Sequence, residues 1–339
     1  MTEKLKLGVL GIDHPHIFGM LKNMQKHGCD CELWWTDGHA FTAEQFSTTF
    51  PDVKQVADRK QIIDDPDIDM VLISAVPEDR AGLAIEAMRA GKDVMVDKPG
   101  CTTLEQLQSI KDCVSDTGRI WTVNFSERFE VPAVVKAEEL VANGAIGNVI
   151  QTIGTGPHHQ GLNKRPDWFY RRQRFGGILC DIGSHQVDQF LFFTGSTEAT
   201  VSHALVQNTT LPEHPEFQDF GEMVLTGNQG HGYVRVDWFT PDGLGVWGDG
   251  RLTILGDKGY IELRKYIDVA RSPQGNNLYL VNDSTAEYID CNTIELTYSP
   301  RLINDVLHRT ETAVTQKHTF RTMELALQAQ QKAELVRAS

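Results

Sequence analysis

Five short apolar runs set the limits on what this chain can become. They are LKLGVLG (5–11), CELWWTD (31–37), MVLISAV (70–76), DVMVDKP (93–99) and IWTVNF (120–125). Between them lie segments of helical period, among them FTAEQFSTTF (41–50) and EDRAGLAIEAMRAG (78–91), the latter with Gly91 placed to stop it. A further helix over 102–118 opens on a capping-box pattern, Thr102 or Thr103 ahead of Glu105 or Gln106. Strands this apolar are buried on both faces, which parallel strands joined by crossover helices achieve. The spacing therefore predicts a doubly wound parallel α/β sheet.

After about residue 125 the rhythm changes. A helix over 130–144 and a strand near 148–156 are expected, then an irregular polar stretch and a helix near 180–194. Longer strands follow at 199–209, 220–227, 230–240 and 250–265, with a hairpin around Asp257-Lys258-Gly259, and 301–338 is helical in period. A chain of 339 residues exceeds one compact core. The reading is a Rossmann domain over 1–124 and an α+β domain over 125–339, the second built on a large, mostly antiparallel open sheet.

The formal net charge of −14 argues against nucleic-acid binding, which needs a basic face. No apolar run approaches membrane-spanning length, and the N-terminus is too polar for a signal peptide. Cytoplasm is the expected location. Six scattered cysteines without a C-x-x-C pair read as reduced, packed thiols.

The loop GVLGIDHPHIFG (8–19) stands where a dinucleotide loop reads G-x-G-x-x-G. It keeps Gly11 but places Asp13 and His16 where the other glycines belong. Asp13 adds a side chain and a negative charge at the diphosphate position. As an alternative, Asp13 caps the following helix, with Pro15 in its first turn. His14 or His16 offers a compensating donor to phosphate. Asp37, ending the second strand, suits a ribose hydroxyl and repels a 2′-phosphate, which favours NAD over NADP; Asp37-Gly38 also reads as a plain turn. Lys98 closes a buried strand at the crevice end, though most lysines simply reach solvent.

In GGILCDIGSHQVDQF (176–190), Asp181 and His185 are four apart and share a helix face, with Asp188 extending the stripe. A carboxylate one turn from an imidazole raises its basicity, as a general base for a hydroxyl proton requires. A polar face packed on the first domain is the other reading. In RPDWFYRRQRF (165–175), Trp168 and Tyr170 suit stacking on a sugar, and Arg171, Arg172 and Arg174 suit an anionic group; a basic loop at a subunit contact explains them too. No histidine–carboxylate spacing matches a common zinc site, so no metal is expected.

DKP (97–99), VNFSERF (123–129), NGAIG (143–147), the glycine pair at 176, D-x-x-x-H-x-x-D (181–188) and ILGDKG (254–259) together resemble the glucose-fructose oxidoreductase / inositol dehydrogenase (Gfo/Idh/MocA) family over nearly the whole chain. The resemblance implies hydride transfer between NAD(P) and a hydroxyl or carbonyl of a sugar or cyclitol. It implies dimers or tetramers paired through the C-terminal sheet. It gives Lys98 the reacting hydroxyl and nicotinamide ribose, His185 acid/base work, and Asp181 substrate holding or orientation of His185. Pro77 and Asn124 would lie near the nicotinamide, and Arg128 joins Trp168, Tyr170 and Arg172 as a substrate contact. The chain departs from the family pattern at Asp97 (usually Glu), at Ala81 (usually His) and in the Asp13/His16 loop. Two alternatives stand beside the dehydrogenase: a redox-neutral lyase, epimerase or glycosidase-type enzyme that recycles NAD, and a non-catalytic sugar-binding protein.

Overall fold

The structure is a computed structural model describing residues 4–38, 40–161 and 165–337. It divides into two compact units. One comprises the chain up to Asn124, a short return at Gln173–Gly176 and the segment Tyr298–Phe320; the other comprises the remainder.

In the first unit, β1 (Lys6–Leu10), β2 (Asp30–Trp35), β3 (Lys54–Gln55), β4 (Met70–Ile73), β5 (Asp93–Asp97) and β6 (Trp121–Asn124) form one sheet in the order β3-β2-β1-β4-β5-β6. Every pairing in it is parallel. The crossovers carry α1 (His16–Lys26), α2 (Ala43–Thr49), α3 (Lys60–Ile63), α4 (Pro77–Arg89) and α5 (Leu104–Thr117). β4 and β5 are buried along their whole length, as their unbroken apolar runs require. The capping box closes on α5: Thr103 Oγ1 accepts from Gln106 N (3.1 Å) and the Gln106 side chain accepts from Thr102 N (2.8 Å).

The cap considered at Asp13 does not form. Pro15 already has helical backbone angles (φ −63°, ψ −13°) and precedes α1 with no side-chain cap. The turn thus closes on the carbonyls of His14 and Pro15, and Asp13 is left to face a cleft.

The segment 298–320 packs on this sheet. The Tyr298 hydroxyl meets Thr122 Oγ1 at 2.8 Å, Arg309 forms two hydrogen bonds to Asp93 (2.8 and 2.7 Å), and the Phe320 ring stacks on Trp121. It contains α11 (Tyr298–His308) and the start of α12 (Gln316–Lys332). The end expected to be wholly helical thus holds two helices and a short strand, β15 (Glu334–Arg337); Ala338 lies outside the described residues.

The second unit carries α6 (Ser126–Phe129), α7 (Pro132–Ala142) and a nine-stranded sheet. Its other strands are β7 (Val149–Pro157), β8 (Ala199–Asn208), β9 (Phe220–Gly227), β10 (His231–Asp237), β11 (Arg251–Gly256), β12 (Gly259–Arg264), β13 (Asn277–Asn282) and β14 (Ala286–Asp290). Their order is β14-β13-β12-β11-β7-β10-β9-β8-β15, antiparallel except at β7–β10 and β8–β15. β11 and β12 form the expected hairpin at Asp257-Lys258.

After α8 (Arg172–Phe175), the stretch expected as one helix near 180–194 is jointed. α9 (Ile178–Asp181) ends, Ile182 stays in helical angles, and α10 (Gly183–Thr194) restarts on a tight His185 N–H to Ile182 carbonyl bond. Ile182, Val187 and Phe190 join Met223, Leu225, Val234 and Val236 of the sheet in one core. The helix sits so low that β-carbons built on Gly154 and Gly156 of β7 would come within 2.7 and 2.9 Å of the Gln186 side chain. On the opposite face Ile153, Leu255 and Tyr260 are exposed.

Candidate active site

β5 ends at Asp97, which is fully buried, and buried Lys98 follows. The Asp97 carboxylate collects donors from three segments. Its Oδ2 accepts from Ser74 Oγ (3.1 Å), Arg80 Nη2 (3.0 Å) and His14 Nδ1 (3.0 Å), and its Oδ1 accepts from His16 Nδ1 (2.8 Å). Arg80, also fully buried, donates further to the carbonyls of Ala75, Asp97, Lys98 and Pro99. Burial works against the Asp97 charge, but His16, Arg80 and His14 outweigh it and hold the carboxyl well below its usual range. Burial pushes the His14 imidazole down to about 3, so near neutral pH it is an uncharged ring donating its Nδ1–H to Asp97. Ligand atoms of His14, His16 and Asp97 lie within 4.8 Å of one another, a spacing a metal ion can use. The donors filling Oδ2 and the adjacent guanidinium oppose a cation there.

A cleft of about 710 Å³ opens at the carboxyl ends of the strands, with Asp13, Trp35, Asp37, Val76 and Glu78 in its wall. Gly11 packs against Ala75 of the cleft wall. At φ +79° its missing β-carbon would fall 2.4 Å from Ala75 Cβ, so no other residue fits there. The wall contains the carboxylates of Asp13, Asp37, Glu78, Asp79, Glu86 and Glu105 against two cations, Arg59 and Arg174. Both arginines are engaged: Arg59 with Glu86 at 2.9 Å, Arg174 with Glu78 at 3.0 Å and Asp79 at 3.4 Å. Burial pushes the Asp13 carboxyl up to about 6 against the pull of Arg80.

A dinucleotide is the group such a strand-end crevice implies, and these residues fit one. Gly11 keeps the loop after β1 tight against Ala75, and Asp37 stands just past β2 in the cleft wall for a ribose. Asp13 is the exception, compatible with a diphosphate in its protonated form. Pro77 opens α4, and Asn124 ends β6 as the register partner of Asp97, so the unit gathers Gly11, Asp13, Asp37, Pro77, Lys98 and Asn124 along one sheet edge. Of these, Asp13 and Asp37 stand in the cleft wall, and Gly11, Pro77, Lys98 and Asn124 do not; His16 lies beside them through Asp97 and is likewise outside the wall.

In the second unit Asp181 and His185 are both buried, with the Phe125 ring edge-on to His185 at 6.4 Å. Burial lowers the Arg165 guanidinium and Asp181 opposes that shift, which marks Arg165 as a cation acting on Asp181. Arg128 donates from Nε and Nη2 to Asp188 (2.6 and 2.8 Å) between the Phe129 and Phe192 rings, so its fork is committed to the fold. Tyr170 stacks on His214 at 4.0 Å, Trp168 is half-buried against the core, and the Arg172 side chain lies beside Gly177. Arg171 is exposed, whereas Arg174 belongs to the first unit.

Three residues of these sites escape a reading of the sequence, Arg80, Glu127 and Lys265, and His158 shows there only as one more histidine without zinc spacing. Arg80 reads as a surface helix arginine, Lys265 as a strand-end lysine. His158 sits in an aromatic wall, 4.5 Å from the half-exposed Trp247 ring and 5.4 Å from Trp238, which only the fold assembles.

A six-stranded parallel sheet with a cleft at its carboxyl edge, followed by an open mixed sheet, is the architecture of a dinucleotide-binding oxidoreductase. Residues 35–125 match the oxidoreductase family with an NAD-binding Rossmann fold, and residues 134–262 match the GFO/IDH/MocA C-terminal domain. The chain belongs to the GFO/IDH/MocA family. Over 98% of its length it superposes on the whole crystallised chain of a protein from Erwinia carotovora atroseptica SCRI1043, provisionally described as an oxidoreductase, with 44% identity and a TM-score of 0.95. It is 33% identical over 164 residues to levoglucosan dehydrogenase of Pseudarthrobacter phenanthrenivorans, a match covering 47% of this chain and 40% of that one. It is 27% identical over 259 residues to scyllo-inositol 2-dehydrogenase (NAD(+)) of Bacillus subtilis, covering 75% and 73%.

Proposed function

We propose that this protein is an NAD-dependent dehydrogenase acting on a hydroxyl of a sugar or cyclitol. The observation that carries the reading is the carboxylate-lined cleft beside Asp13 and Asp37, whose two cations among the described residues, Arg59 and Arg174, are already paired. It accommodates an adenosine ribose at Asp37 and, among the described residues, offers no free cation to a 2′-phosphate. A bound nicotinamide supplies the hydride acceptor or donor. The chain's own residues do the remainder. Gly11, with Asp13 and His16, shapes the diphosphate loop; Pro77 and Asn124 bound the nicotinamide site; Lys98 steadies the developing oxyanion. His185 takes the hydroxyl proton, and Asp181 holds substrate or orients the ring. Trp168, Tyr170 and Arg172 line the substrate side, while Arg128 positions α10 through Asp188. Residues 1–124 thus serve the cofactor and 125–339 the substrate.

The relatives' names support the substrate class: one is a levoglucosan and another a scyllo-inositol dehydrogenase. The exposed Ile153, Leu255 and Tyr260 face supports a homodimer or homotetramer formed through the C-terminal sheet, with a solution mass at a multiple of 37.9 kDa. Free, buried cysteines support a cytoplasmic location, and among the described residues no helix is long and apolar enough to cross a membrane.

The test is to denature purified protein, identify any released dinucleotide, and measure thermal stabilisation by NAD and NADP. NAD released or stabilising, with net reduction of added NAD on a polyol, is the expected result. Lys98→Met and His185→Ala each abolish turnover with the fold intact. No dinucleotide and no stabilisation by either would refute the reading, and turnover without net NAD reduction would replace it with a redox-neutral enzyme.

A further inference from the structure

A second ionic group, hydrogen-bonded to the helix that carries His185, is not used by the scheme above. Glu127 of α6 is 1% exposed and Lys265, just past β12, is fully buried. Lys265 Nζ donates to Glu127 Oε2 at 2.6 Å and to Gln189 Oε1 at 2.8 Å. Gln186 Nε2 donates to Glu127 Oε2 at 3.0 Å, and Gln189 Nε2 donates to the His185 carbonyl at 2.9 Å. The pair is thus tied to α10 at the residue after His185 and again one turn on.

A buried ion pair is poor value as a stabiliser, because desolvation consumes most of its Coulomb energy. This one is also incompletely satisfied: Glu127 Oε1 is buried and meets no donor among the described residues. A carboxylate kept only for structure has no use for an oxygen left in that state. Both features make sense if the carboxylate serves a charge that comes and goes.

We propose that Glu127, held in place by Lys265, is the positioning residue that sets the proton affinity of His185, supplying the buried counter-charge for the imidazolium formed when His185 takes the substrate proton. The inference rests on His185 being the acid/base group. In that step the substrate O–H bond breaks and an imidazole N–H bond forms. The new cation appears inside the fold, where an opposite charge acts through little water.

Burial opposes the Glu127 charge, but Lys265, His185 and His158 together bring its carboxyl down to about 2, so it remains ionised. The other groups around the site are accounted for. His158 Nδ1 donates to the Gly156 carbonyl, and Asp188 is neutralised by Arg128. Tyr266 is kept protonated by burial and by Glu127 and Glu130. Asp181, preceding His185 on the jointed helix, faces Arg165.

The pair is a near-neutral dipole, and this gives the test its sign. Removing Glu127 leaves Lys265 to repel the imidazolium; removing Lys265 leaves Glu127 to attract it. The experiment uses the full-length enzyme loaded with NAD, with ¹⁵N-labelled imidazole followed by NMR and kcat/KM measured against pH. In Glu127→Gln the His185 titration and the acid limb of the rate profile move down by about one pH unit; in Lys265→Met they move up by about as much. The double variant, lacking both charges, returns close to wild type. Glu127→Asp keeps the charge and the fold while withdrawing the carboxylate, and moves the titration in the same direction as Glu127→Gln.

Shifts of the same sign in the two charge-removing variants, or no shift at His185, overturn the proposal. If Glu127→Gln or Lys265→Met does not fold, an unshifted Glu127→Asp overturns it alone. Undiminished turnover in His185→Ala removes instead the assignment of His185 as the base, while the imidazole titration still decides what Glu127 does.

Discussion

Asp13 brings a negative charge to the cleft proposed to receive the cofactor's diphosphate. Its carboxyl, raised by burial to about 6 from 3.8, binds a proton more tightly in the folded protein than in the unfolded chain. That preference stabilises the fold in acid and is lost as pH climbs through about 6. At about pH 8 the buried charge costs on the order of 3 kcal/mol. Asp13→Asn therefore raises the melting temperature at that pH and leaves it unchanged near the unfolded value, which differential scanning fluorimetry at the two pH values checks. The same proton governs the cofactor. NAD affinity, read by calorimetry, falls as pH rises through about 6 in the native protein and flattens in Asp13→Asn. Gly11 allows no such adjustment. A methyl at φ +79° and 2.4 Å from Ala75 Cβ costs about 2–4 kcal/mol, so Gly11→Ala loses much of the stability together with NAD binding, as thermal unfolding and an NADH titration will report.

At the scale of elements, Arg80 joins three of them. It stands in the first turns of α4, and its guanidinium reaches the carbonyl after β4 and the carboxylate and carbonyls at the end of β5. Arg80→Met leaves Asp97 buried with a smaller share of its donors and costs about 3–5 kcal/mol in chemical denaturation. Nothing in EDRAGLAIEAMRAG announces that role, because an arginine early in a helix has the same appearance whether it faces water or a strand end. Lys98 and the Asp181/His185 pair were legible because they stand where an apolar strand or helix pattern ends or is interrupted. The parallel strands were legible because both their faces are buried and their letters are nearly all apolar. β13 and β14 were not: β14 has no buried residue, so nothing in AEYID alternates. The return of 298–320 to the first sheet was equally hidden. It depends on contacts such as Arg309 with Asp93, and helical period carries no address. Glu127 and Lys265 are far apart in the chain, and only the fold shows them to be partners.

For the whole molecule, the net charge of −14 and the carboxylate wall of the cleft act in the same direction. An additional phosphate on the ribose meets repulsion from both. NAD at a fixed concentration therefore raises the melting temperature more than NADP does, and the gap narrows as salt is added, because screening weakens exposed charges within about 10 Å at 0.1 M. Equal shifts at low salt would show that the wall does not select. The seating of α10 on β7 has a consequence for anyone wishing to retarget the enzyme. A side chain at Gly154 or Gly156 would meet Gln186, so the strand beneath α10 has no slack, and even an alanine there would press on the helix that carries His185. Room for a bulkier alcohol has to be carved from the loops; the strand side is closed to the engineer.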